Sequence, residues 1–203
     1  MSFLYPILIA FLLVFISELG DKTQLLVLSF SSKLKASTIL IGVALGSFFS
    51  HGVAILFGSS IGLLNNNFIH DLLEVITFLS FIVFGIFSFL PQKEERESTK
   101  KDNFIMKLSK LGIGYILIIA FSIAIGELGD KTFLASIGLG ISYPNQKLFL
   151  IIGAILGMVI SDLLAIIFGK FLTKKIPETL MQKLSGLLFI VFGVIGFIKY
   201  IIY

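Results

Sequence analysis

Not one of the chain's 203 residues is a cysteine. Disulfides, thiolate metal sites and thiol redox chemistry are therefore excluded, and any metal must be held by oxygen or imidazole. Polar sequence is almost as scarce. The one extended polar stretch, PQKEERESTKKDN at residues 91–103, is a mixed-charge segment unable to build a core, and it reads as a linker. No Gly-x-x-x-x-Gly-Lys-(Ser/Thr) loop is present to hold a nucleotide, so any transport must draw on an ion gradient. A His-Glu-x-x-His metalloprotease motif is also missing. With no cationic leader before Phe3 and no small-residue cleavage site in the first apolar run, a removable signal peptide is not expected.

What fills the chain instead is apolar: 57% of residues are hydrophobic, 22 are phenylalanine, and the mean hydropathy is +1.05. No ordinary soluble domain has such a composition. Apolar stretches at residues 3–30, 38–58, 72–90, 111–139, 148–169 and 184–203 each reach the about 20 residues needed to cross a bilayer. The expected fold is all-α, a polytopic membrane protein with six transmembrane helices. Loops 31–37, 91–110 and 170–183 would then share one face and carry twelve Lys or Arg residues, against only Lys147 and Lys199 opposite. This asymmetry places the basic loops in the cytoplasm and both termini outside. The net charge of +4 thus reflects topology, and no nucleic-acid partner is expected.

The hexapeptide ELGDKT occurs at residues 18–23 and again at 127–132. Gly42-Val-Ala-Leu-Gly46 is matched by Gly153-Ala-Ile-Leu-Gly157, and Phe81-Ile-Val-Phe-Gly85 by Phe189-Ile-Val-Phe-Gly193. Separations of 109, 111 and 108 residues make the chain two copies of a three-helix unit. The expected division is a first repeat at 1–90, a charged cytoplasmic linker at 91–110 and a second repeat at 111–203. Three is odd, so the second copy enters the membrane from the opposite side, a 3+3 inverted-topology repeat. Its pseudo-two-fold axis would bring the two hexapeptides together near mid-depth, with the Gly-x-x-x-Gly pairs allowing close helix approach.

Seven ionisable residues fall within the expected spans: Glu18, Asp21, Lys22, Glu127, Asp130, Lys131 and Asp162. Unpaired, their burial would cost about 20 kcal/mol. On a helix, Glu18, Asp21 and Lys22 share a face, as do Glu127, Asp130 and Lys131. Joined, the faces sum to −2, the charge one divalent cation neutralises. Gly20 and Gly129 permit close backbone approach or local unwinding, which would free carbonyl oxygens, while Thr23 and Thr132 add hydroxyls. Such an oxygen cage suits Ca²⁺, Mn²⁺ or Mg²⁺. Buried salt bridges to the two lysines are the structural alternative, but they would leave an acid unbalanced in each copy. Ser50-His51 aligns with Ser161-Asp162. His51 and Asp162 either flank the site, relaying protons or completing the coordination shell, or make an interhelical hydrogen bond. Ser17, Gln24, Ser47, Ser122 and Ser136 are candidates to line a polar path, and His70 is expected to be solvated.

Glu-x-Gly-Asp-(Lys/Arg)-(Thr/Ser), once in each half of a small six-helix protein, resembles the signature of the Gdt family of cation transporters. Members of that family handle Mn²⁺ and Ca²⁺ in bacteria, chloroplasts and the Golgi. The resemblance implies that Glu18, Asp21, Glu127 and Asp130 form the cation site, with Lys22, Thr23, Lys131 and Thr132 matching the rest of the signature. It also implies exchange of metal against protons, with manganese export in bacterial members. No tightly bound cofactor is expected, the metal being cargo. Because the chain lacks the long amino-terminal extensions of organellar relatives, a bacterial plasma membrane is the expected location.

Proton coupling also follows from charge: four adjacent carboxylates without a cation repel one another, so some take up protons, and metal and proton compete. Two other functions remain at this level. A passive divalent-cation channel would use the same acids without counter-transport. An intramembrane aspartyl protease would pair Asp21 with Asp130; Glu-Leu-Gly-Asp in place of Gly-x-Gly-Asp, and the lysine after each aspartate, argue against it.

Overall fold

The computed structural model describes residues 3–19, 21–31, 34–64, 67–89, 114–175 and 178–202. All regular structure among them is helical: α1 (Leu4–Glu18), α2 (Lys22–Ser31), α3 (Ala36–Ser47), α4 (Val53–Gly62), α5 (Asn67–Phe87), α6 (Tyr115–Glu127), α7 (Lys131–Ser142), α8 (Lys147–Lys175) and α9 (Glu178–Ile202). A π-helical turn, Phe48–Gly52, joins α3 to α4, and a 3-10 turn, Pro144–Gln146, leads into α8. The expected linker at 91–110 lies outside the described residues, as does Lys33 of the first basic loop. Helix α8 runs to Lys175, past the expected end of its apolar stretch at residue 169.

Among the described residues, three helical runs are long and apolar enough to cross a membrane: Ala36–Gly62, Pro144–Phe168 and Lys183–Ile202, with mean hydropathies of 2.0, 2.6 and 2.2. The first and fourth apolar stretches are not single helices. Each is broken at its hexapeptide, giving α1 then α2 and α6 then α7. With about 1.5 Å of rise per residue, the 15 residues of α1 and the 13 of α6 fall short of the about 30 Å hydrocarbon core.

Polarity is arranged inside-out. Ser17, Glu18, Gln24, Ser47, His51, Glu127, Thr132, Ser136, Ser161 and Asp162 are buried, while Ile41, Phe49, Phe57, Phe121, Ile125 and Ile195 are exposed. Apolar surface on this scale needs hydrocarbon around it, and helices are the structures that satisfy their own backbone there. The chain is a membrane protein. Between the polar interior and the outer faces lies a layer of Leu13, Val14, Ile39, Val43, Ile119, Ile123, Leu150 and Met158 from α1, α3, α6 and α8.

The principal helix pairs are α1 with α8, α3 with α6, α4 with α7 and α5 with α9. A Cβ added at Gly46 of α3 would lie 2.8 Å from the Ala120 carbonyl oxygen of α6, and one at Gly157 of α8 would lie 2.8 Å from the Phe11 carbonyl oxygen of α1. Only glycine permits backbones this close. Phe11 and Ala120 are separated by the same 109 residues as the hexapeptides. Where α5 meets α9, Phe81 packs edge-on against Phe189, its sequence counterpart, with ring centroids 5.9 Å apart.

Candidate functional site

The helix breaks follow from the motif itself. Glu18 is the last residue of α1, Leu19 is extended (φ −63°, ψ 116°), and the Asp21 amide donates to the Glu18 carbonyl at 3.1 Å. Glu127 ends α6, Leu128 repeats the geometry (φ −62°, ψ 119°), and the Asp130 amide donates to the Glu127 carbonyl, again at 3.1 Å. Gly129 has φ +83°. These are the angles of a type II turn, whose third position needs a positive φ and hence glycine. Glu-Leu-Gly-Asp is therefore a helix-breaking turn, and the expectation that all three charged residues share one continuous helical face gives way to the unwound alternative. The turn ends α1 and α6, leaving last-turn carbonyls without intrahelical partners and the negative ends of both helix dipoles beside the acids.

Glu18 and Glu127 are each 1% exposed, and His51 is fully buried. Ligand atoms of these three residues lie within 4.8 Å of one another. Thr23 donates to Glu18 Oε2 at 3.3 Å, and Thr132 donates to Glu127 Oε2 at 3.3 Å, matching bonds from the two motif copies. The Thr132 hydroxyl also lies 3.4 Å from Asp130 Oδ2. The other carboxylate oxygens, Glu18 Oε1 and Glu127 Oε1, are buried with no hydrogen-bond partner, as is His51 Nε2. Buried acceptors left unsatisfied are rare and costly, and here they belong to three residues whose ligand atoms group together.

Asp21 and Asp130 are half-buried just beyond this trio, as is Lys131. Asp21, Asp130 and Lys131 all lie within electrostatic reach of Glu18. Lys22 opens α2, but its side chain lies outside what is described, as does that of His70. Gln24 reaches across to α8, donating to the Ser161 hydroxyl at 2.7 Å and the Ser161 carbonyl at 3.2 Å. Next to it Asp162 is 1% exposed with neither carboxylate oxygen hydrogen-bonded, and it lies within electrostatic reach of Asp21 and Glu127.

His51 sits in the π turn, a backbone irregularity frequent at functional sites. There the Val53 amide reaches back to the Phe48 carbonyl, and the Ser50 hydroxyl bonds the Gly46 carbonyl at 3.1 Å. The serines named from sequence differ in their partners. Ser136 contacts His51 at 3.1 Å and Ser17 meets Ser185 at 3.2 Å, whereas Ser122 returns its hydroxyl to Ile118 of its own helix. Ser185 was not singled out from sequence, where one serine in an apolar helix carries no signal.

Comparison with known proteins adds an independent line. The family model described as "Divalent cation/proton antiporter GDT1" matches residues 6–96 and 115–201. A Vibrio cholerae protein named "Putative manganese exporter" is 29% identical over 86% of this chain and 82% of its own length. A Synechocystis protein named "GDT1-like protein sll0615" is 30% identical over 91% of this chain and 93% of its own. The Arabidopsis thaliana protein "PAM71, chloroplastic" is 26% identical over 92% of this chain and 55% of its own. No solved structure matches.

Proposed function

The chain belongs to the GDT1 family of divalent cation/proton antiporters, and we propose that it exports Mn²⁺, with Ca²⁺ the second candidate, through a site where Glu18, Asp21, Glu127 and Asp130 converge from its two halves. It is a transporter rather than an enzyme. The observation that carries this reading is the pair of buried carboxylates, Glu18 and Glu127, whose ligand atoms lie within 4.8 Å of each other while each keeps one oxygen, Oε1, without a hydrogen-bond partner. Two ionised carboxylates cannot stay side by side in a desolvated pocket. Either a divalent cation or protons must neutralise them, and because both occupy the same lone pairs, loading one releases the other. That competition is the physical basis of exchange. The name of the Vibrio cholerae relative supports manganese and the outward direction.

The proposed architecture is six spans, α1–α2, α3–α4, α5, α6–α7, α8 and α9, as an inverted 3+3 repeat of residues 1–90 and 111–203 with both termini outside. Sequence counterparts that meet support it: Glu18 lies close to Glu127, and Phe81 packs against Phe189. Broken helices at a central site suit alternating access, since the two turns offer hinges on which α1–α2 and α6–α7 can move.

Proteoliposomes with an imposed pH gradient test the coupling. With the lumen acidic, Mn²⁺ accumulates inside above its external concentration as protons leave. Mn²⁺ flux that only runs down its own gradient, whatever the pH difference, would make the protein a channel.

A further inference from the structure

We infer that His51 is a direct cation ligand through Nε2, and that it makes the site favour first-row divalent ions, Mn²⁺ and Fe²⁺, over Ca²⁺ and Mg²⁺. This rests on the transport reading above and specifies its substrate class.

Hydrogen bonding fixes the ring's tautomer. The Ser136 hydroxyl has one proton and donates it to the Thr132 carbonyl at 2.9 Å. Ser136 Oγ, 3.1 Å from His51 Nδ1, therefore meets that nitrogen as an acceptor, and Nδ1 carries the hydrogen. Nε2 is left as the nitrogen with the lone pair. It has no hydrogen-bond partner in a fully buried ring, and the ring is grouped within 4.8 Å of the Glu18 and Glu127 oxygens. Nε2 thus joins Glu18 Oε1 and Glu127 Oε1 as a buried atom without a hydrogen-bond partner, on three residues whose ligand atoms group together. An imidazole whose far N–H is held by an oxygen is the arrangement that metal-ligating histidines adopt. The support runs back to the motif, since Ser136 is anchored on the carbonyl of Thr132, whose hydroxyl bonds Glu127.

One nitrogen among oxygens changes what the site prefers. Ca²⁺ and Mg²⁺ take oxygen donors, whereas imidazole belongs to transition-ion coordination; a mainly carboxylate set keeps the site at the Mn²⁺ and Fe²⁺ end of that series. The pseudosymmetric position on α8 is Asp162. The imidazole thus breaks the symmetry of an otherwise matched site.

Pulsed electron paramagnetic resonance on Mn²⁺ bound to purified wild-type protein tests this without mutation. The chain has two histidines, so ¹⁵N-histidine labelling should convert a ¹⁴N modulation of the Mn²⁺ signal into a ¹⁵N one, with His70→Gln leaving it intact and His51→Gln removing it. In competition titrations, His51→Gln should lower the Mn²⁺:Ca²⁺ affinity ratio by about tenfold or more. Mn²⁺ bound without histidine nitrogen modulation would overturn the His51 assignment alone. Failure of the wild-type protein to bind Mn²⁺ would overturn the transport reading and this inference together.

Discussion

Glu18 and Glu127, 109 positions apart in the chain, bring carboxylate oxygens within 4.8 Å of each other, and each accepts a hydrogen bond at 3.3 Å from the threonine five residues further along. Matched support of this kind orients one oxygen of each carboxylate and leaves the other, Oε1, without a hydrogen-bond partner.

Removing that support should weaken the site without unfolding it. Thr23→Val and Thr132→Val keep side-chain volume and lose the donor, so each is expected to reduce Mn²⁺ affinity by about tenfold with little change in melting temperature. Calorimetric titration and thermal melting read the two effects separately. Unchanged affinity in both variants would show that the threonines do not position the carboxylates.

Gly129→Ala probes the turn. Nothing lies within 4 Å of a Cβ added there, so the penalty is one of backbone conformation at φ +83°, about 1–2 kcal/mol. Expected outcomes are a modest loss of stability and a larger loss of transport, because relaxing the turn moves Asp130 and the start of α7. An alanine variant with wild-type flux would separate the turn from the function.

Gly157→Ala should act oppositely, through packing. Its Cβ would meet the Phe11 carbonyl oxygen at 2.8 Å, forcing α1 and α8 apart at about 1–3 kcal/mol. A melting temperature that does not fall would contradict the contact.

Asp162→Asn tests the acid beside Gln24 and Ser161. Both its oxygens are buried without partners, so losing the charge relieves desolvation and stability is expected to hold or rise. Mn²⁺ and protons compete for carboxylate oxygens, so in the wild type the apparent Kd should rise as pH falls. The asparagine variant should bind Mn²⁺ with a flatter pH dependence and lose uphill, proton-driven flux. Retention of full coupling would remove Asp162 from the proton route.

That Glu18 and Glu127 come together was legible in the sequence, because the repetition of ELGDKT at a spacing matched by other segments needs no knowledge of contacts. That Glu18, Glu127 and Asp162 are buried was legible too, since an apolar run makes each charge conspicuous, whereas Asp21 and Asp130 are only half-buried. The broken helices were harder to read: α1–α2 and α6–α7 are apolar on both sides of the motif, and the only mark of the turn is the glycine at its third position. The tautomer of His51 was beyond reach, since it depends on Ser136, 85 residues away, and on where that hydroxyl sends its proton. Neither could Gln24 be paired with Ser161, because a glutamine in an apolar segment names no partner.

Counting Mn²⁺ on the purified protein tests the central claim most directly. If the two hexapeptides close one site, the wild-type chain binds a single high-affinity Mn²⁺, and Glu18→Gln or Glu127→Gln alone abolishes it. Two Mn²⁺ per chain, with one surviving in each variant, would mean that the motifs act as separate sites.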